Sequence, residues 1–139
     1  MYQHQTRMRV RYGETDQMGY LYYGNYAQYY EVGRVEAMRN LGISYKKLEE
    51  EDGILMPVVS MNMRFVRPAH YDELLLVRTS VKKLPSYFIS FFVEIFNEKE
   101  ELVNGGQVKL CFVDGKTKQT IVAPPALITS MQAYFETSM

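Results

Sequence analysis

The chain has 139 residues, which suits one domain and is too short for a second, cofactor-binding domain beside a core. Its 16 basic residues balance 16 acidic ones, so net charge favours neither nucleic acid nor an anionic membrane as a partner. A single cysteine, Cys111, excludes an internal disulfide, and no Cys/His cluster has metal-ligand spacing. We predict one domain over residues 1–139, located in the cytoplasm, without membrane insertion, metal or cofactor.

The first third of the chain predicts a strand, a loop and a long helix. Residues 7–12 alternate between charged and apolar, which is the pattern of a half-buried strand. The polar run 14–19 indicates a loop. From Asn25 to Leu41, apolar or small residues recur every three or four positions, as in a helix. Gly33 lies inside this helix, where glycine is unfavourable, so we expect the helix backbone to approach its neighbour closely there.

The remaining sequence predicts mainly strands. Ser44 begins a short helix that ends at Glu50. Alternating or apolar runs joined by short turns then indicate antiparallel strands at 55–66, 74–84, 87–97 and 102–113, with a short strand at 119–122. A helical stretch follows Pro125.

One long helix followed by a meander of strands is an α+β layout, with the helix across one face of an antiparallel sheet. Such a sheet leaves open edges and apolar surface that one copy covers poorly. The 12 tyrosines, 7 phenylalanines and 9 methionines are residue types common at interfaces. We therefore predict a homodimer or homotetramer.

Few residues suggest chemistry by themselves. His4 and His70 lie far apart in sequence and fit surface or turn positions better than catalytic ones. Cys111 lies within an apolar strand, where a small buried thiol is expected. The chain has neither a phosphate-binding glycine loop nor a GxSxG nucleophile motif.

The loop that leads into the long helix carries the best candidate, Asp16. A helix start offers unpaired backbone N–H groups and partial positive charge, which polarise a carbonyl group and stabilise an oxyanion. A nearby carboxylate attacks the carbonyl carbon or deprotonates water. The alternative is that Asp16 only caps its own turn, as aspartate often does, and spacing alone does not separate these roles.

The run from Val10 to Tyr26, continuing to Glu36, resembles the signature of the 4-hydroxybenzoyl-CoA thioesterase and Tol-Pal-associated thioesterase family of the hotdog superfamily. Residues 65–69 and 71–74 agree with the same family, so the resemblance spans nearly the whole chain. It implies the hotdog fold, in which a long central helix is wrapped by a five- to six-stranded antiparallel sheet. It also implies an acyl-CoA substrate.

Carried over residue by residue, the resemblance implies that Asp16 is the catalytic carboxylate. The backbone N–H that faces the thioester oxygen falls on Tyr23. Gly24 and Asn25 complete that turn, and we expect Tyr26 beside the substrate. Tyr at position 23 resembles the enzymes of aromatic acyl-CoA, whereas many Tol-Pal-associated members have His there.

For the phosphate-rich tail of coenzyme A, the best basic cluster is Lys82 and Lys83, followed by Ser86 in the next turn. Alternatively, these residues only form the solvated tip of a hairpin, because lysines at strand ends also discourage pairing between sheet edges.

The leading interpretation is an acyl-CoA thioesterase with Asp16 as general base or nucleophile. A second keeps the fold but takes acyl groups from acyl-carrier protein, which favours a basic docking face. A third is a non-hydrolytic acyl-CoA-binding protein, although the presence of Asp16 favours an enzyme.

Overall fold

A computed structural model describes residues 1–136 of the chain, so the last three residues of the predicted domain lie outside the described residues. The helices and strands follow the chain in this order: β1 (Tyr2–Arg9), α1 (Tyr26–Asn40), α2 (Tyr45–Glu50), β2 (Ile54–Leu55), β3 (Val58–Phe65), β4 (Leu74–Val81), β5 (Phe88–Phe96), β6 (Leu102–Asp114), β7 (Thr120–Ile121) and α3 (Pro125–Gln132). The predicted α+β layout is confirmed.

The strands form an antiparallel sheet in the order β1, β4, β5, β6 and β3. The two-residue strands β2 and β7 both pair with the C-terminal end of β6. The sheet thus has seven strands rather than five or six. The difference arises because the predicted second strand is split in two.

The split lies at Pro57, between β2 and β3. Proline has no backbone N–H to give to a sheet, although its carbonyl still accepts a hydrogen bond from Cys111 N at 3.1 Å. A register shift between Val58 and Ser60 follows directly. The expected continuous strand over 55–66 was therefore wrong at one point, and the residues after the break form the eight-residue strand β3.

The first strand also differs from its prediction of 7–12. It starts at Tyr2 and pairs with β4 without interruption from Tyr2 opposite Val81 to Arg9 opposite Leu74. The polar residues Gln3 to Gln5 hid its beginning, because they lack the apolar alternation on which the prediction depended. Beyond Arg9 the chain leaves the sheet, and residues 12–14 form a single 3-10 turn.

Helix α1 lies on the inner face of the sheet and begins and ends within one residue of its prediction. Its buried face comprises Tyr26, Tyr29, Tyr30, Gly33, Arg34, Ala37 and Met38. The expected close approach occurs at Gly33. A Cβ placed there would lie 2.7 Å from Thr79 Oγ1 and 2.9 Å from Val77 Cγ1, both on β4. The missing side chain lets α1 lie directly on the centre of the sheet.

Replacing Gly33 with alanine is expected to destabilise the protein. The substitution gains about 1 kcal/mol of helix propensity, but forcing a methyl group against two branched, buried side chains costs about 1 to 3 kcal/mol. We expect a melting temperature lower by about 4 °C, the shift for a net loss of about 1 kcal/mol in a domain of this size. Gly13→Ala is the control, since no atom lies within 4 Å of the added Cβ. A Gly33→Ala variant as stable as the native chain would contradict the tight contact.

Candidate active site

The loop between β1 and α1 folds back on itself as a tight turn. Asp16 N donates to Tyr20 O at 2.8 Å, and Gly19 N donates to Asp16 O at 3.0 Å. Gly19 has a φ of 79°, a conformation that glycine adopts without strain. Tyr20 bridges to His70 and Leu21 N donates to Ala69 O, which fixes the turn against the segment after β3.

The carboxylate of Asp16 lies on this turn with one oxygen bound and one free. Its Oδ1 accepts hydrogen bonds from Met18 N at 2.9 Å and Tyr20 N at 3.1 Å. Within residues 1–136 no donor is bonded to Oδ2, and the side chain is exposed. Asp16 therefore does cap its turn, and the same two bonds orient its second oxygen. The turn-capping interpretation and the catalytic one are thus compatible.

The start of the long helix offers two free backbone donors. A 3-10 turn over Tyr23–Asn25 runs directly into α1. Tyr22 N is bonded to Glu14 O, and Asn25 N is bonded to Tyr22 O. In the described part of the chain, the N–H groups of Tyr23 and Gly24 have no hydrogen-bond acceptor. Unpaired N–H groups at a helix start are suited to bind a carbonyl oxygen that gains negative charge.

A cleft of ≈ 340 Å³ joins these two features. Asp16 and Tyr23 both line it, and four of its nine lining residues are aromatic. The ring of Phe65 lies 6.3 Å from that of Tyr23 and 5.3 Å from that of Tyr26, both edge to face. Burial raises the pKa of Tyr26 to about 12, so its hydroxyl keeps its proton at neutral pH. The remaining lining residues are Tyr20, Leu21, Val66, Arg67 and Pro68.

Of the predicted site residues, the structure brings together those of the loop and the helix start. Asp16, Tyr23 and Tyr26 share the cleft, and Gly24 and Asn25 complete the turn beside it. A Cβ at Gly24 would lie 2.6 Å from the ring of Tyr22, so a larger residue there requires that exposed ring to move. The side chain of Asn25 donates from Nδ2 to Glu14 O at 2.9 Å.

The other three predicted residues lie elsewhere. Lys82, Lys83 and Ser86 line a separate cleft, also of ≈ 340 Å³, on the outer face of the sheet together with Phe88 and Phe92. Helix α1 covers the inner face, so one chain does not bring these residues to Asp16. The Nζ of Lys82 lies 4.1 Å from the centre of the Phe92 ring, a cation–π contact.

Two residues of the site were not predicted from the sequence. Glu14 is only 7 % exposed behind the Asp16 turn, and its Oε1 accepts a hydrogen bond from the Tyr29 hydroxyl at 2.7 Å. Nothing local distinguishes Glu14 from its polar neighbours in the loop. The helical period does place Tyr29 one turn beyond Tyr26, which was a usable signal for its burial.

Comparison with known proteins identifies the family. The model of the thioesterase superfamily matches residues 18–104, which is more than half of the chain. The chain belongs to the thioesterase superfamily. The matched range begins just after Asp16, so the match covers the helix start and most of the sheet but not that carboxylate. Membership confirms the prediction of a thioester hydrolase.

Individual relatives agree with the family. The Helicobacter pylori acyl-CoA thioesterase YbgC is 30% identical over 126 residues, covering 85% of this chain and 92% of the relative. The structure of a DHNA-CoA thioesterase from Staphylococcus aureus is 33% identical, with a TM-score of 0.90 over 97% of this chain and 92% of that one. A 4-hydroxybenzoyl-CoA thioesterase in complex with 4-hydroxybenzoyl-CoA is 22% identical, with a TM-score of 0.84 over 94% and 99% of the two chains, and supports the fold alone.

These likenesses confirm the hotdog fold that the resemblance implied. None of the helices in residues 1–136 has the length and apolar character required to cross a membrane.

Proposed function

We propose that this thioesterase hydrolyses acyl-CoA at the cleft of Asp16 and Tyr23. One observation carries the proposal: a carboxylate with an unbonded oxygen and a helix start with unbonded N–H groups border the same cleft. The names of the relatives supply the carrier, since they are described as acyl-CoA thioesterases.

In the proposed reaction the thioester carbonyl accepts hydrogen bonds from the N–H groups of Tyr23 and Gly24. These donors stabilise the negative charge that develops on the oxygen as the carbonyl carbon is attacked. Asp16 acts as the base or as the nucleophile. As a base it takes a proton from water, whose oxygen then bonds to the carbon. As a nucleophile it forms a mixed anhydride that water hydrolyses.

Both routes give the same products. In each, the bond between carbon and sulfur breaks and the electron pair leaves with the sulfur of coenzyme A. In the base route this follows the addition of water. In the nucleophile route it happens as the anhydride forms, and water then splits the anhydride and frees Asp16. The thiolate takes up the proton that water supplied, which yields a carboxylic acid and free coenzyme A.

We further propose that two copies pair through β3. This strand lies at one edge of the sheet, so one side of its backbone is unpaired by the sheet. It carries exposed apolar side chains at Val58, Val59, Met61 and Phe65. The opposite edge, β1, instead exposes polar and charged residues such as Gln5 and Arg7, which discourage pairing. The chemistry of the two edges therefore favours β3 as the interface.

Lys82, Lys83 and Ser86 stay as proposed contacts for the nucleotide of coenzyme A. Because they lie on the face opposite Asp16, a role in the same reaction requires that a neighbouring copy presents them to the cleft. Lys82 already covers Phe92. Lys83 and Ser86 are therefore the better candidates for contacts with the nucleotide.

One observation favours acyl-carrier protein as a second candidate carrier. The outer face of the sheet is basic although the whole chain is neutral. Alternation along the strands directs Glu94 to this face, and Glu98 and Glu100 border it beside Arg7 and Arg78. The cations that share it are Arg7, Arg9, Arg64, Arg78, Lys82 and Lys109. A basic face fits an acidic carrier. Comparing hydrolysis of one acyl group on both carriers decides between them.

Substitution of Asp16 tests the proposed chemistry. Asp16→Asn keeps the size of the side chain and an oxygen for the two turn hydrogen bonds, but it removes the charge. We expect the fastest thioester among acetyl-, octanoyl-, palmitoyl- and benzoyl-CoA to be turned over roughly a hundredfold more slowly, as for positioned general bases. Melting temperature and substrate affinity should change little.

Asp114→Asn is the matched control. The Oδ1 of Asp114 likewise accepts hydrogen bonds from two backbone N–H groups, those of Lys116 and Thr117, but it does not line the cleft. The control should leave turnover unchanged. Near-normal hydrolysis by Asp16→Asn would reduce Asp16 to a turn-capping residue.

Substitution of Lys83 tests the proposed nucleotide contact. Lys83→Ala should raise the KM for an acyl-CoA by about threefold to tenfold, because a charge-assisted bond to phosphate is lost, with solvent weakening the effect. The KM for the same acyl group on pantetheine, which lacks the nucleotide, should not change. Lys116→Ala, in an exposed turn, is the control. An equal KM for acyl-CoA in both variants would identify Lys83 as part of a solvated hairpin tip.

Light scattering tests the proposed interface. At micromolar concentration the native chain should have at least the mass of a dimer. Met61→Lys places a charge on β3 and should shift the mass towards a monomer, whereas Gln5→Lys on β1 should not. A native chain that is monomeric and still hydrolyses thioesters would contradict the proposed dimer.

A further inference from the structure

Glu14 is a buried carboxylate just before Asp16, and both of its side-chain oxygens are bonded. Oε1 accepts hydrogen bonds from Arg11 N at 2.9 Å and from the Tyr29 hydroxyl at 2.7 Å. Oε2 accepts from Arg11 Nη2 at 2.9 Å. These three donors compensate for the loss of water around the carboxylate. The side chain thus joins the loop to the first turns of α1.

The backbone of Glu14 makes a second connection to the helix start. Its carbonyl oxygen accepts hydrogen bonds from Tyr22 N and from Asn25 Nδ2, both at 2.9 Å. Tyr22 and Asn25 flank Tyr23 and Gly24, whose N–H groups are the proposed donors to the substrate. One residue therefore holds the loop of Asp16 and the turn of the two donors to each other.

We infer that Glu14 is a positioning residue for hydrolysis: it fixes the free amides of Tyr23 and Gly24 relative to the Asp16 carboxylate. This inference rests on the proposed function. Its physical basis is the sensitivity of a reaction to the placement of its groups, since a displacement of about 1 Å costs up to about a hundredfold in rate.

The protonation state of the cluster fits this role. Burial raises the pKa of Glu14, but the hydrogen bonds from Arg11 and Tyr29 and the charge of Arg11 outweigh it and hold that pKa below its usual range. Burial and the neighbouring carboxylate raise the pKa of Tyr29. At neutral pH Glu14 is charged and accepts, while Tyr29 is neutral and donates. Glu14 does not line the cleft, so it does not exchange protons with substrate there.

Two variants test the inference by kinetics. Glu14→Gln replaces an acceptor facing Arg11 with an NH₂ group, and Tyr29→Phe removes only the hydroxyl. We expect kcat to fall about tenfold or more in the first and by a smaller factor in the second, with KM within about twofold. The double variant should lose less than the product of the two factors, because both changes break the same bond. Glu36→Gln, whose carboxylate pairs with Arg39 on the outside of α1, should match the native enzyme.

The bound substrate supplies a readout that a purely structural role would not move. In the Asp16→Asn background, donors to the thioester oxygen should lower the C=O stretching frequency of the acyl-CoA that is turned over fastest, measured by difference infrared spectroscopy. Adding Glu14→Gln or Tyr29→Phe should return the frequency towards its value in water. An unchanged frequency would mean that the donors stay in place without Glu14.

Acid pH supplies a further check. A carboxyl whose folded pKa is depressed stabilises the fold above its unfolded pKa, near 4.3 for a free glutamate, and this stabilisation is lost as pH falls through the folded pKa. The melting temperature of Glu14→Gln should therefore lie below that of the native chain at pH 7. This difference in melting temperature should become smaller below about pH 4. A gap that is constant from pH 7 to pH 3 would contradict a charged Glu14.

The outcomes separate this inference from the proposed function. If Asp16→Asn hydrolyses thioesters normally, the proposed chemistry at Asp16 is wrong, whatever Glu14 does. If Asp16→Asn is inactive but folded Glu14→Gln and Tyr29→Phe keep native kcat and the native carbonyl frequency, only the positioning role of Glu14 is wrong.

Discussion

The hydrogen-bonded carboxylate of Glu14 is the constraint on which the geometry of the cleft depends. A charge is tolerated in a buried place when each of its oxygens finds donors, and here Arg11 and Tyr29 provide them. Arg11 lies in the loop and Tyr29 lies on α1. The hydrogen bonds that the carboxylate needs therefore hold the loop and the helix together. The same residue's carbonyl then accepts from Tyr22 and Asn25, so the start of the helix is held as well.

The geometry of the cleft also requires the position of α1 on the sheet. This position depends on the size of a side chain rather than on a charge. Gly33 lets the helix backbone lie close to β4. Towards the N-terminus, Tyr26 meets Phe65 of β3 and so forms one wall of the cleft. The cleft is therefore built where the helix start, the loop and the end of an edge strand meet. An open strand edge beside the cleft is also the reason that the proposed function involves a second copy.

Patterns that depend on neighbouring residues were predictable from the sequence. The helical period gave α1 and part of its buried face, without Tyr29, Arg34 and Met38. Turn chemistry located the loop of Asp16. The start of β1 was hidden by polar residues. Pro57 is plain in the sequence, but the prediction did not recognise that it breaks the strand. Contacts between residues that lie far apart in the sequence could not be predicted. The burial of Glu14 involves Tyr29, which lies on another segment. The face on which Lys82 lies follows from the order of the strands. Neither property can be predicted from a local sequence pattern.

Family resemblance supplied what local patterns could not, namely the fold and the proposed roles of Asp16 and Tyr23. The structure adds the physical content: Oδ1 of Asp16 is held by two N–H groups while Oδ2 has no bonded donor in residues 1–136, and Tyr23 lines the same cleft. Capping a turn and the proposed role in hydrolysis are compatible in one carboxylate, because the two hydrogen bonds to Oδ1 orient Oδ2.

A crystal structure of the Asp16→Asn variant with its best acyl-CoA bound is the most direct test of this account. We expect the thioester carbon beside residue 16, with its oxygen about 2.7 to 3.1 Å from the amide nitrogens of Tyr23 and Gly24. An acyl group seated instead on the outer face of the sheet, between Phe88 and Phe92, would contradict it.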